Sequence, residues 1–199
     1  MRVLVVGASG TIGRAVVAEL SKRHEVIAAG RTSGDVSLDI TDAASIRAGF
    51  EHAGPVDALV SSTGTVKFAP FDQMGADDYE IGLKDKLMGQ VNLVLIGREY
   101  LADGGSFTLT TGVLESDPIR MGTSASMVNG AVNAFVRAAA IEMPRGQRIN
   151  AVSPGVIEEA MEGYAPFFRG FEPVPAARAA LAYAKSVEGA QTGQVYRVV

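Results

Sequence analysis

Cysteine is absent from all 199 residues, which excludes disulfides, thiolate nucleophiles and cysteine-held metals. Histidine is scarce: His24 and His52 stand twenty-eight positions apart, each at the end of a predicted helix. A metal site needs about three clustered ligands, so both are read as solvated helix ends. Basic clusters are missing too. The thirteen arginines and five lysines are spread along a chain of net charge −4, which leaves no stripe to displace counterions from nucleic acid. No apolar run approaches the ~18 residues that span a bilayer, so neither nucleic acid nor membrane is expected as a partner. The opening MRVLVVGASG turns polar and glycine-rich after six positions, unlike a secretory signal, and with the missing cysteines this points to the cytoplasm.

Hydrophobic residues make up 47% and charged residues 20%, ample for one core, and the length suits a single domain over 1–199. Short β-rich runs (RVLVVG, EVIAAG, DALVSS, SFTLTT, INAVSP, QVYRVV) alternate with longer alanine-rich segments of helical spacing. The pattern predicts a Rossmann-like, doubly wound α/β fold: a parallel sheet of about seven strands with helices on both faces. Strands are expected near 2–7, 25–29, 35–38, 56–61, 105–111, 148–153 and 194–198, and helices near 11–22, 42–53, 76–101, 124–143 and 175–188. The long irregular stretch from Gly163 to Pro175, with its aromatics and three prolines, suggests a substrate loop over about 157–175.

Gly7-Ala8-Ser9-Gly10-Thr11-Ile12-Gly13 follows the first strand directly and opens the first helix. Gly7 permits a tight strand-to-helix turn, Gly10 lets backbone approach a pyrophosphate, and Gly13 lets helix and strand pack closely. Free N–H groups at the helix start then hold phosphate oxygens. The second strand ends at Ala29-Gly30-Arg31-Thr32-Ser33, where an NAD site places an acid on the ribose hydroxyls. Arg31, with Arg14 nearby and two hydroxyl side chains after it, suits a 2′-phosphate instead, so NADP(H) is favoured over NAD(H). The alternative is a solvated arginine at a strand end.

With these residues in place the chain resembles the short-chain dehydrogenase/reductase family over nearly its whole length. Asp39-Ile40-Thr41 is similar to the family step where an acid meets the adenine. Ser61-Ser62-Thr63-Gly64 lies where the family has Asn-Asn-Ala-Gly after the fourth strand. Thr108-Leu109-Thr110-Thr111-Gly112 resembles the fifth strand that ends in the catalytic serine. Asn150-Ala151-Val152-Ser153-Pro154-Gly155-Val156, followed by Ile157, resembles the segment beside the nicotinamide. Thr192-Gly193-Gln194 resembles the start of the last strand. Only seven residues separate Arg31 from Asp39, too few for the family's crossover of about ten or more, so the helix between strands 2 and 3 is expected to be deleted.

The resemblance implies a catalytic Asn, a Ser and a Tyr-x-x-x-Lys pair on one helix face. No tyrosine occurs between Tyr100 and Tyr164, and no lysine between Lys86 and Lys185, so that pair is missing in every register. The tyrosine position falls on Thr123, Ser124 or Ala125, and the lysine position on Met127, Val128 or Asn129. Thr111 takes the serine position, either as a substrate-orienting hydroxyl or as a strand-end threonine bonded to backbone. Lys86 takes the asparagine position. It is an acid or ribose clamp if burial lowers its pKa, or a lysine whose stem packs while its head reaches water. Ser124 and Ser126 are binding groups at most. Glu159, where the family has a threonine on the carboxamide, either receives that amide or faces solvent. Gly82 and Gly89, seven apart, are read as one face that admits a neighbouring helix closely, which in this family suggests subunit contact, and Ala138-Ala139-Ala140 supports the same reading. A homodimer or homotetramer is what the resemblance implies. Two functions are left open: an NADP(H)-dependent oxidoreductase acting on a small carbonyl or alcohol by a non-standard proton route, and a catalytically inactive NADP(H)-binding sensor or accessory protein.

Overall fold

The computed structural model describes residues 1–199. In chain order the elements are β1 (Arg2–Val6), α1 (Thr11–Leu20), β2 (Glu25–Gly30), β3 (Val36–Ser37), α2 (Ala43–Ala53), β4 (Val56–Ser61), α3 (Ala76–Gly82) and α4 (Met88–Gly97). They continue with β5 (Leu101–Thr110), α5 (Thr123–Glu142), β6 (Arg148–Pro154), α6 (Met161–Tyr164), α7 (Ala176–Glu188) and β7 (Val195–Val198).

Apolar residues at successive positions of β1 serve opposite faces of the sheet. Leu4 and Val6 join a core with Phe50 of α2, Leu93 of α4 and Val132 of α5. Val3 and Val5 join a second core with Val16 and Leu20 of α1 and Tyr183 and Val187 of α7. A strand covered on both sides has no reason to alternate polar residues. The seven strands are all parallel in the order β3-β2-β1-β4-β5-β6-β7. Chain direction across the sheet reverses between β1 and β4, and in such sheets the crevice beyond those strand ends is where ligands bind.

Each predicted strand and helix is present, and β2 runs to β3 through five residues with no helix between them. The helix predicted over 76–101 departs from expectation. A π-helical turn over Leu83–Leu87 separates α3 from α4, and the helix ends at Gly97. β5 starts four residues earlier than expected, because Asp103-Gly104-Gly105 reads as a loop but lies inside the strand as an irregularity, with Gly104 at φ +72° and a register shift between Val56 and Ala58.

Two smaller readings are corrected. His24 is not a solvated end: its Nε2 lies 3.0 Å from the Glu188 carboxylate, which ties the end of α1 to α7. His52 is exposed at the end of α2. Gly82 and Gly89 are filled from within the chain and not by a second subunit. A Cβ on Gly82 would meet Ser124 and Val128 of α5 at 3.1–3.2 Å, and one on Gly89 would meet Ile40 at 2.6 Å.

Candidate functional site

The crevice starts at the end of β1. Gly7 has φ +83°, and a Cβ there would stand 2.8 Å from the Ser62 carbonyl oxygen. A Cβ on Gly13 would lie 2.0 Å from the Gly7 oxygen, so α1 rests directly on the turn. Gly10 is the N-cap of α1 and offers no capping side chain. The N–H groups of Thr11 and Ile12 therefore find no acceptor within the protein and are free for phosphate oxygens. Thr11 and Gly13 do not line the crevice; the first offers its N–H and the second its lack of a side chain.

A polar groove runs from this turn. It is lined by Gly7, Ser9 and Gly10, by Arg31, Thr32 and Ser33 after β2, by Asp39 and Ile40, and by Ser62, Thr63 and Gly64 after β4. Arg31 is exposed and pairs with no carboxylate. The Asp39 carboxylate accepts the Thr41 N–H at 2.9 Å and the Thr41 hydroxyl at 2.7 Å. Those bonds, helped by the Arg31 charge, hold its carboxyl below the usual carboxylate range. Arg14 does not reach for the groove through its Nη1, which donates to the Ser9 carbonyl at 2.6 Å.

Ser62, Thr63 and Gly64 also border a second cleft, so the two form one continuous channel. Ile12 and Pro154, Gly155, Val156 and Ile157 after β6 line one side of this cleft, which holds about 280 Å³. Lys86, Thr111 and Asn129 supply polar groups, and Phe68, Tyr164 and Phe168 add aromatic ones. Lys86 sits in the π-helical turn, a feature that often marks functional sites. Its Nζ donates to the Thr111 carbonyl at 3.4 Å. Desolvation lowers its pKa to about 8, against a smaller opposing pull from Asp85. Gly64 makes room for it: φ is +133°, and a Cβ would lie 2.6 Å from Lys86 Cγ. The Thr111 hydroxyl is buried, with the Val152 carbonyl 3.4 Å away.

Gln90 is a positioning residue that sequence reasoning missed. It is fully buried; its amide nitrogen donates to the carbonyls of Lys86 (3.1 Å) and Thr110 (2.9 Å), while its oxygen accepts the Thr110 N–H (2.8 Å). The end of β5 and the π-helical turn are thereby clamped together. One signal was available, an amide in the largely apolar MGQVNLVLIG, although Asn92 in the same segment offers the same signal.

The geometry of α5 picks one of the three registers left open. Thr123 bonds the Tyr79 hydroxyl at 2.9 Å, Met127 is exposed, and Val128 belongs to the core. Ser124 is fully buried without a hydrogen-bond partner and lies against Gly82, so it does not line the cleft. Ala125 and Asn129, four apart, do line it. Tyr183 is no substitute tyrosine: its hydroxyl bonds Thr110 Oγ1 at 2.6 Å and burial pushes its pKa far up. Glu159 is exposed, as one of its two readings expected, but it is not free. Both carboxylate oxygens accept the Ala176 N–H, at 3.0 and 3.1 Å, and so cap α7.

A family model described as enoyl-(acyl carrier protein) reductase matches residues 2–196. Among solved structures, the protein lin1944 from Listeria innocua is 55% identical, with both chains covered in full and a TM-score of 0.98. A small-chain dehydrogenase solved in complex with NADPH is 27% identical, covers 100% of this chain and 96% of its own, and has a TM-score of 0.88. A hydroxynaphthalene reductase-like protein, Arp2 of Metarhizium brunneum, is 25% identical over 188 residues, 79% of this chain and 68% of that protein.

Proposed function

This chain belongs to the short-chain dehydrogenase/reductase family of oxidoreductases, and from that premise we propose that it binds NADP(H) in preference to NAD(H) and interconverts a small carbonyl compound and its alcohol by a proton route through Lys86. The observation that carries this reading is the Lys86 ammonium in the cleft, 3.4 Å from the Thr111 carbonyl, with a pKa lowered to about 8.

The dinucleotide, when bound, supplies or accepts the hydride. The N–H groups of Thr11 and Ile12 would take the pyrophosphate, Arg31 with Thr32 and Ser33 would take the 2′-phosphate, and Asp39 and Ile40 would border the adenine. Ile12 and Pro154–Ile157 would border the nicotinamide, and Tyr164 and Phe168 of the 157–175 segment would border the substrate. The Thr111 hydroxyl orients the substrate oxygen. Lys86 gives its Nζ proton to that oxygen in reduction and recovers it as a neutral amine in oxidation. Ser124, buried away from the cleft, takes no part. The protein works in the cytoplasm as a homodimer or homotetramer, for which exposed Ile81, Met88, Leu95 and Met127 supply apolar contact surface.

Ala125 and Asn129, standing where the family has its tyrosine and lysine, favour a second reading: an NADP(H)-binding sensor without turnover. Thermal shift separates cofactor preference from chemistry. NADPH at 100 times its Kd adds about 2.7 kcal/mol of stability, and NADH at the same concentration is expected to add less. Equal shifts contradict the preference. Tight NADPH binding with no turnover of any ketone selects the sensor.

A further inference from the structure

Polar and aromatic groups reach the cleft from different elements. Lys86 comes from the π-helical turn, Thr111 from the end of β5 and Asn129 from α5, whereas Phe68 comes from the segment after β4 and Tyr164 and Phe168 from α6 and the turn beyond it. The three rings form an edge-to-face row. Phe68 and Tyr164 have centroids 6.3 Å apart at 66°, and Tyr164 and Phe168 lie 5.9 Å apart at 85°. Phe171 backs Phe168 at 5.3 Å and 77°. Such a row presents ring faces and edges whose quadrupoles suit one more flat ring. Val66, Val113, Leu114 and Val156 complete the wall. Lys86 is the one charged side chain among those lining this cleft. A substrate ammonium would be desolvated with no carboxylate to pair it, and a substrate carboxylate would draw Lys86 away from the carbonyl oxygen.

We propose that the substrate of this cleft is an uncharged aromatic ketone or the corresponding alcohol, its ring against Tyr164 and Phe168 and its oxygen toward Lys86 and Thr111. The proposal rests on the oxidoreductase reading of the same cleft, but it concerns only what the walls admit.

The probes are 1-tetralone and 1-decalone, which share a carbon skeleton and a carbonyl and differ in one aromatic ring. Binding to the full chain is measured by saturation-transfer NMR titration, with and without NADPH. 1-Tetralone is expected to bind about tenfold more tightly, the scale of one or two aromatic contacts, and a carboxylated tetralone more weakly than either. Tyr164→Leu, at a side chain already 41% exposed, keeps the fold and should reduce the preference to under threefold, while Tyr164→Phe restores it. Phe168→Leu serves as the second variant. Equal affinities, no detectable binding of either ketone at millimolar concentration, or a preference unchanged in both leucine variants overturns the proposal. An NADPH titration on the same samples keeps the two ideas apart. Ring preference without NADPH binding rejects the hydride reading alone, and NADPH binding without ring preference rejects the substrate class alone.

Discussion

Lys86 meets two opposed demands. Desolvation disfavours its charge, yet a proton donor needs that charge at working pH. With its pKa lowered from 10.5 to about 8, the unfolded chain holds this proton between those values while the folded chain has released it. Stability therefore rises with pH across the window, and below about 8 the full cost of the buried charge is present. Lys86→Met should raise the melting temperature at pH 7 by about 3 °C, with the gain shrinking to nothing as pH rises to 10.5. Calorimetric melts at the two pH values check this; a destabilised variant at pH 7 would contradict it. In the proposed function Arg31 sets the cofactor choice. Arg31→Ala should weaken NADPH binding by about 1.5–3 kcal/mol and leave NADH nearly unchanged. Titration calorimetry with both cofactors decides, and equal losses remove the 2′-phosphate from the account. Lys86 and Arg31 could be singled out in the sequence because each stands beside a recognisable segment. Gln90, Asp85 and Glu159 could not be assigned their partners, which lie 20, 20 and 17 residues away in the chain and meet them only once the fold is made.

Within the glycine turn, three identical residues do different work. At Gly10 an added Cβ meets only the Gly7 oxygen, at 3.3 Å, whereas at Gly13 it would stand 2.0 Å from the same atom. Gly10→Val should therefore keep the fold and lose NADPH binding, because its branches block the phosphate approach. Gly13→Ala should cost about 1–3 kcal/mol of stability by forcing α1 off the turn. Melting and binding measured on both variants test the split. A folded Gly10→Val with wild-type affinity removes the cradle, and a Gly13→Ala as stable as wild type removes the packing role. The turn was legible because strand, glycine spacing and helix follow one another without interruption. The π-helical turn was not: Leu83–Leu87 keeps ordinary helical composition, and its widening shows only where Asp85 Oδ1 accepts the Thr65 N–H at 2.6 Å and Gly64 meets the Lys86 stem. The register of α5 was also out of reach, since three adjacent placements have similar sequences and packing alone turns Ala125 and Asn129 to the cleft.

Across the whole molecule, a two-sided parallel sheet places β1 and β4 side by side with their ends at one crevice, and Val6 pairs with both Ala29 and Ser61. That architecture follows from apolar strands that need covering on both faces, which is why the fold was readable almost element by element. Subunit contact was misassigned because glycine spacing on a helix does not say which chain fills the gap. Leu95 and Met127 are exposed and are the contact surface that the proposed assembly would use. Sedimentation velocity should show a dimer or tetramer that Leu95→Asp shifts toward monomer, and a wild-type monomer would contradict the assembly. The crevice brings the glycine turn, the end of β6 and a lysine into one channel, and the account stands on that lysine. Its most direct test is the pH dependence of kcat/KM for NADPH-driven reduction of 1-tetralone by wild type and Lys86→Met. For the wild type, kcat/KM is predicted to fall about tenfold per pH unit above pH 8, and the variant to be slower by about 10²–10⁴ with no inflection there. A wild-type profile flat through pH 8, or a variant as fast as wild type, would contradict the account.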